Sequence, residues 1–154
     1  MARLIGYCGN RCYLCPARSK DPVVRQKLVD GWKRIYGFDA YTVDNVQCDG
    51  CVSAGDNGRL ANNGCSIRSC ARKRGIGTCA FCDNFACNKI RERITSHEGI
   101  ILDNWQKIKQ GEVSEEDYKL CMRQFEGMGV LFELLDCSGQ LPSWWQRNSE
   151  FSSE

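Results

Sequence analysis

The spacing of the cysteines constrains this chain more than any other feature of its sequence. Ten of the twelve cysteines fall within residues 8–87, in short groups whose members are separated by two to four residues: Cys8, Cys12 and Cys15; Cys48 and Cys51; Cys65 and Cys70; Cys79, Cys82 and Cys87. Two thiolates in a C-x2-C pair can converge on one metal ion, with each sulfur about 2.3 Å from it. The spacing therefore predicts that these ten residues are metal ligands.

The N-terminal residues carry no sign of export. The chain begins Met-Ala-Arg-Leu-Ile-Gly, without a charged segment followed by a long apolar stretch, and no apolar run of about 18 residues could span a membrane. We therefore expect a cytoplasmic protein with no membrane partner. Thiols stay reduced in the cytoplasm, which favours zinc or an iron–sulfur cluster over a disulfide framework.

The sequence leaves the grouping of the ligands open. Spacing favours a first zinc site made of two C-x2-C pairs: Cys48 with Cys51, and Cys79 with Cys82. Cys65, Cys70 and Cys87 would then form a second site with one of the three N-terminal cysteines, although sets that mix these residues are equally allowed. A site closed by four thiolates has no coordination position left for water, which is typical of structural zinc.

Other chemistry for these thiols also stays open. An iron–sulfur cluster could use Cys8, Cys12 and Cys15 together with a fourth ligand from elsewhere in the chain. A redox or nucleophilic role is the other alternative, because neighbouring Arg and Lys residues lower the pKa of a cysteine. His97 is the sole histidine and is expected to be solvated, while Cys121 and Cys137 lack ligand spacing and are expected to be ordinary thiols.

The chain divides into three parts by composition and hydrophobic period. Residues 1–95 are expected to form a cysteine-rich metal-binding module, residues 96–140 a helical segment packed on it, and residues 141–154 a tail. The predicted fold is therefore small and metal-stabilised. Its class is α-rich or irregular α+β, with a zinc module and C-terminal helices packed against it.

Several helices can be placed by their end signals. Asp21-Pro22 predicts a helix start and Gly37 its end, with Trp32 on the apolar face as a core anchor. A short helix is expected from residue 65 to residue 74. Further helices are expected around residues 86–94, around residues 101–108, and from a cap at Ser114 through residue 125 and beyond.

The charge of the chain gives little support for a polyanionic partner. The formal net charge is +2, although basic residues cluster at Arg68, Arg72, Lys73 and Arg74. Such a cluster can contact phosphates, but a solvated helix face is the preferred interpretation. Nucleic acid is thus a less favoured partner than a protein of unknown identity.

Four motifs resemble a known family. They are YCGNRCYLCP at residues 7–16, CDGC at 48–51, CSIRSCA at 65–71 and CAFCDNFAC at 79–87, in that order along the chain. They are similar to Domain of Unknown Function 3795, a cysteine-rich bacterial and archaeal family. This chain has Phe85-Ala86-Cys87 where the family often reads Phe-Pro-Cys, which changes a turn residue and not a ligand. The resemblance implies a metal module but no established activity.

These features favour one function over two alternatives. The favoured function is a zinc-binding protein whose structural sites, two in number, hold a binding or regulatory module for an unknown partner. The alternatives are an iron–sulfur or thiol redox protein, and an enzyme subunit with an open metal site. An enzyme is less expected, because the chain has no phosphate-cradling Gly-Lys-Ser/Thr motif and no second histidine for a catalytic triad.

Overall fold

The described part of the chain is helical. The computed structural model describes residues 4–55, 58–60, 64–85 and 87–125, apart from the side chains of residues 97, 98 and 101. Within these ranges the α-helices are α1 (Pro22–Tyr36), α2 (Ser66–Arg74), α3 (Asn88–Lys109) and α4 (Glu115–Cys121). Short 3-10 turns span Cys12–Leu14, Pro16–Arg18, Cys79–Phe81 and Arg123–Phe125. The same ranges contain no strand, so the α-rich alternative is the correct one.

The predicted ends of α1 are confirmed, and each has a local cause. The Asp21 carboxylate accepts a hydrogen bond from the backbone N–H of Val23 at 2.8 Å, which caps the first turn that Pro22 opens. At the other end Gly37 adopts φ +70°, and its N–H donates to the carbonyl oxygen of Lys33. This left-handed conformation suits glycine and ends the helix at Tyr36.

α2 and α4 also follow their sequence signals, although α4 is shorter than expected. α2 ends at Arg74, before Gly75, and the Ser114 hydroxyl caps α4 by accepting from the N–H of Asp117 at 3.1 Å. The expected continuation of α4 through residue 125 is wrong, because the helix ends at Cys121. One reason is that the side-chain amide of Gln124 donates to the carbonyl oxygen of Leu120, at 2.9 Å, and so occupies an acceptor of the last turn.

α3 is one helix where the sequence indicated two. It runs without interruption from Asn88 to Lys109, through the boundary expected between residues 95 and 96. The division into a module and a separate helical segment therefore stays a prediction. None of the described helices has the length and apolar character needed to cross a bilayer.

Two clusters of buried side chains form the interior. The first, called here the cysteine-side core, consists of Tyr7, Cys8, Ile67, Ala71, Cys79, Ala80, Ile90 and Ile94. The second, called the helical core, consists of Ala17, Leu28, Val29, Trp32, Val46, Val113, Cys121 and Met122. α2 and the first half of α3 contribute side chains to the cysteine-side core. α1 and α4 contribute side chains to the helical core.

The helical core confirms one prediction, while others fall outside the described residues. Trp32 is only 6% exposed, as expected of a core anchor, and its ring meets those of Tyr41 and Phe125. Cys121 is fully buried in the same core, where it acts as a small apolar side chain. Cys137, the side chain of His97 and the tail at residues 141–154 lie outside the described part.

Candidate metal centre

The N-terminal cysteines lie on a tight turn that meets a second loop. The N–H of Cys15 donates to the carbonyl oxygen of Cys12 at 3.1 Å, which closes the 3-10 turn between them. The N–H of Cys48 donates to the carbonyl oxygen of Ala17 at 2.9 Å, and this bond joins the loop carrying Cys48 to the next 3-10 turn, Pro16–Arg18, which directly follows Cys15. Two C-x2-C pairs that are distant in sequence are thereby placed side by side.

A hydrogen bond connects the two loops through sulfur. The Cys12 thiol donates to the sulfur of Cys51, which also accepts from the backbone N–H of Tyr7 at 3.4 Å. Gly6 lies against both sulfurs: a Cβ at this position would come within 3.3 Å of Cys51 Sγ and 3.5 Å of Cys12 Sγ. Backbone and thiol donors directed at one sulfur are the surroundings that a thiolate requires.

The pKa values in this region reflect the same contacts. The hydrogen bond from Cys12 lowers the pKa of Cys51, as do the N–H of Tyr7 and the charge of Arg68. That same bond and burial raise the pKa of Cys12. Burial raises the pKa of Cys15 to about 11, with a further increase from the neighbouring Cys48. The pKa of Cys51 is thus lowered by its donors, while the hydrogen bond to Cys51 and burial raise the pKa of Cys12 and burial raises that of Cys15.

Cys8 extends this set of thiols toward α2. It is buried, and burial raises its pKa, as do the charges of Cys51 and Cys65. Cys65 is the N-cap residue of α2 and packs against the cysteine-side core that contains Cys8. These six residues form what we call the N-terminal thiol group: Cys8, Cys12, Cys15, Cys48, Cys51 and Cys65.

The four remaining cysteines of the motifs share one cavity. Cys70, Cys79, Cys82 and Cys87 all line a cavity of about 560 Å³, and we call them the cavity thiol group. They come from different elements, since Cys70 lies on α2, Cys79 begins a 3-10 turn that ends just before Cys82, and Cys87 is the N-cap residue of α3. Their meeting is therefore a product of the tertiary fold.

The cavity thiol group is held next to the N-terminal thiol group. The N–H of Cys79 donates to the carbonyl oxygen of Tyr7 at 2.9 Å, and the N–H of that same Tyr7 is bonded to Cys51. Burial raises the pKa of Cys79 to about 12, and the charges of Cys8 and of the other cavity thiols contribute to the increase. Tyr7 thus connects the two groups through its backbone N–H and carbonyl oxygen.

Two arginines of the basic cluster act on these sulfurs. The Arg74 side chain donates a hydrogen bond to Cys70 and also feels the charge of Cys82, which together raise the pKa of Arg74. Arg68 is half-buried and lowers the pKa of Cys51, whereas Arg72 and Lys73 are exposed. The sequence interpretation missed this role, although the i,i+4 spacing of Cys70 and Arg74 on one helix could have indicated it.

The two C-x2-C pairs that spacing had grouped in one site have different neighbours in the structure. Cys51 contacts Cys12, while Cys79 and Cys82 line the cavity with Cys70 and Cys87. All the described cysteines, from Cys8 to Cys121, are free thiols. Among the described residues, no three or more Cys, His, Asp or Glu side chains are arranged to hold a metal ion.

Comparison with known proteins identifies one family. The sequence profile of a family described as "Protein of unknown function (DUF3795)" matches residues 4–92, which is more than half of the 154 residues. The match covers both thiol groups and ends within α3. No curated protein and no solved structure matches the chain significantly.

Proposed function

Since this chain belongs to the DUF3795 family, whose function is unknown, its role has to be inferred from its thiols, and we propose that they hold two structural zinc ions. In this proposal the metal stabilises a cytoplasmic binding or regulatory module. The observation that carries it is the convergence of Cys70, Cys79, Cys82 and Cys87 on one cavity. A donor set of four thiolates selects zinc or an iron–sulfur cluster over harder metal ions.

The first zinc ion is assigned to the cavity thiol group. Its sulfurs come from α2, from the 3-10 turn at residues 79–81 and from the start of α3. They are not yet at coordination distance, so the ion would draw these elements together. The free energy of zinc binding would then contribute to the free energy of folding, as in other small structural zinc sites.

The second zinc ion is assigned to four members of the N-terminal thiol group: Cys12, Cys15, Cys48 and Cys51. These residues form two C-x2-C pairs, in which a hydrogen bond already connects Cys12 with Cys51 and the neighbouring Cys48 contributes to the raised pKa of Cys15. This assignment keeps the Cys48–Cys51 pair that spacing favoured but gives it a different partner pair. Two C-x2-C pairs closing one tetrahedral site are the common structural zinc arrangement.

Electrostatics support a cation at both places. Burial is the main cause of the raised pKa values of Cys15 and Cys79, and neighbouring thiols contribute to both increases. A divalent ion reverses this effect, because it stabilises the thiolate form of each ligand. Arg68 and Arg74 already supply part of the positive charge that the thiolates need.

A closed four-thiolate site leaves no open position for a reacting water, so the proposed role is structural and not catalytic. The module would then present a surface to a partner, and a protein is the favoured class. Localisation in the reducing cytoplasm fits the free thiols, since reduced cysteines persist there.

Elemental analysis of the full chain, purified without oxygen, tests this proposal. We expect a colourless protein with about two zinc ions per chain, a stoichiometry set by two four-thiolate sites. Substoichiometric zinc that is lost on gel filtration, with the thiols still reduced, would overturn it. Equal amounts of iron and sulfide in a brown protein would do the same.

An iron–sulfur or thiol redox protein is the second candidate, and one observation favours it. Two zinc sites use eight cysteines, which leaves the neighbouring Cys8 and Cys65 without a metal. Such a surplus suits a redox pair or a cluster with a different ligand set. Absorption near about 400 nm that bleaches with dithionite would identify a cluster.

A further inference from the structure

The sulfurs of Cys12 and Cys51 are in direct contact, although the two residues lie on different loops. The Cys12 thiol donates a hydrogen bond to Cys51 Sγ. Two sulfurs in contact can form a disulfide after small rotations about their side-chain torsions. The sulfur of Cys48, in comparison, accepts from the N–H of Gly50 at 3.4 Å, within its own loop. Direct contact between loops thus marks one pair among the four proposed ligands of the second zinc ion.

The N-terminal segment holds both loops in this position. The carbonyl oxygen of Leu4 accepts from the N–H of Tyr13, the neighbour of Cys12, at 2.9 Å. The side chain of the same Leu4 lies against Gly50, the neighbour of Cys51, where a Cβ would come within 2.5 Å of Leu4 Cδ2. Zinc bound by four sulfurs at about 2.3 Å places any two of them about 3.8 Å apart, so the ion preserves the contact between the sulfurs.

Both sulfurs are within reach of a small oxidant. Cys12 and Cys51 are half-buried, and Val52, which follows Cys51, is 37% exposed. Cys8 and Cys121, in contrast, are buried. The oxidation of a cysteine by a peroxide depends on its exposure and is reversible when a second thiol lies beside it. This pair meets both conditions.

We propose that Cys12 and Cys51 are an oxidation site, at which hydrogen peroxide converts the two thiolates into a reversible disulfide. One thiolate attacks the peroxide, whose O–O bond breaks to give a sulfenic acid and a hydroxide ion. The other thiolate attacks that sulfur, the S–S bond forms and a second hydroxide ion leaves. Each sulfur has then lost one electron to the peroxide oxygens, and protons from solvent convert both hydroxide ions to water.

The disulfide would also release the second zinc ion. It removes two of the four proposed ligands, so the ion keeps only Cys15 and Cys48, too few to hold it in a closed site. The disulfide joins the same two loops as the ion, and reduction by a dithiol returns both sulfurs to the site. The release of zinc rests on the proposed function, whereas the disulfide itself does not.

Peptide mapping of the full chain tests the oxidation site. The zinc-loaded protein is treated with hydrogen peroxide, its remaining thiols are alkylated, and it is digested with trypsin. We expect peptide 12–18 to be linked to peptide 35–59, with the alkyl groups on Cys15 and Cys48. A colorimetric zinc indicator should record the loss of about one zinc ion per link, and dithiothreitol should reverse both changes.

Variants of the neighbouring thiols provide matched controls. Cys8 and Cys65 belong to the N-terminal thiol group but to neither proposed zinc site, so Cys8→Ser and Cys65→Ser should form the link as the wild-type chain does. Cys12→Ser should abolish it. Because Cys12→Ser also removes a proposed ligand, the peptide map of the wild-type chain decides the matter if this variant does not fold. Cys121 is fully buried and should stay reduced in every sample.

The results distinguish the oxidation site from the zinc proposal. A link between other cysteines, a sulfinic acid in place of the link, or loss of the link in Cys8→Ser or Cys65→Ser would overturn the oxidation site, while two zinc ions in the untreated chain would still support the proposed function. A chain that is purified without zinc but forms the Cys12–Cys51 link would support the oxidation site and refute the second zinc ion.

Discussion

Gly31 on α1 lies directly against the sulfur of Cys121 on α4, so closely that a Cβ at Gly31 would overlap Cys121 Sγ. The adjacent Trp32 strengthens this contact, because its indole Nε1 donates to the carbonyl oxygen of Cys121 at 3.1 Å. The bond satisfies a buried polar group on each side. Together these contacts fix α4 on α1 and complete the helical core.

Substitution of Gly31 should therefore destabilise the protein. We expect Gly31→Ala to lower the free energy of unfolding by about 1–3 kcal/mol, the usual cost of overpacking a core. Gly99→Ala is the control, since Gly99 lies within α3 with no atom near its missing Cβ. That change should raise stability by about 0.5–1 kcal/mol through helix propensity. Urea unfolding of both variants measures the two effects, and equal effects would refute the close contact.

Double variants should reveal which cysteines share an ion. Cys12→Ser and Cys48→Ser should each remove about one zinc ion, and the double variant should lose no more than either single variant, because one site needs all four ligands. Cys48→Ser combined with Cys79→Ser should remove both ions. If that combination removes only one, Cys48 and Cys51 share their ion with Cys79 and Cys82 after all. Cys121→Ser should retain full metal and serves as the control.

Chelation should affect the two cores unequally. The proposed ligand Cys79 is buried in the cysteine-side core, and Cys51 and Cys87 pack against it, whereas the cysteine buried in the helical core is Cys121, with Cys15 and Cys48 packed against that core. After metal removal we expect amide hydrogen exchange in α2 to accelerate by about tenfold or more, with a smaller change in α1. Mass spectrometry of peptides from residues 66–74 and 22–36 measures both. Unchanged exchange in α2 after verified metal removal would show that metal does not stabilise this region.

Cys121 should make stability fall in alkaline solution. Burial raises the pKa of its thiol from 9.0 to about 11. Between these values the folded state keeps a proton that the unfolded state has lost, so the contribution of Cys121 is complete below pH 9 and declines as pH rises toward 11. The stability difference between the wild-type chain and Cys121→Ala should narrow over this interval. Urea unfolding at about pH 8, 9.5 and 10.5 measures it, and a constant difference would contradict the burial of the thiol.

Much of the local structure follows from the sequence. The start of α1 at Asp21-Pro22, its end before Gly37 and the cap of α4 at Ser114 all depend on residues within one helical turn of each other. The continuity of α3 was not evident, because its apolar residues face two different cores along its length. Ile90 and Ile94 belong to the cysteine-side core, while Ile108 packs against the helical core.

The cysteine spacing by itself determined which residues are candidate ligands, because cysteines separated by two to four residues are typical of metal sites. It could not decide which pairs meet. That choice depends on backbone hydrogen bonds between distant segments, from Cys48 to Ala17 and from Cys79 to Tyr7, which place Cys48 and Cys79 in different groups. The contact of Arg74 with the sulfurs also depends on the tertiary structure, because only folding brings the Arg74 side chain to the cavity that four cysteines line.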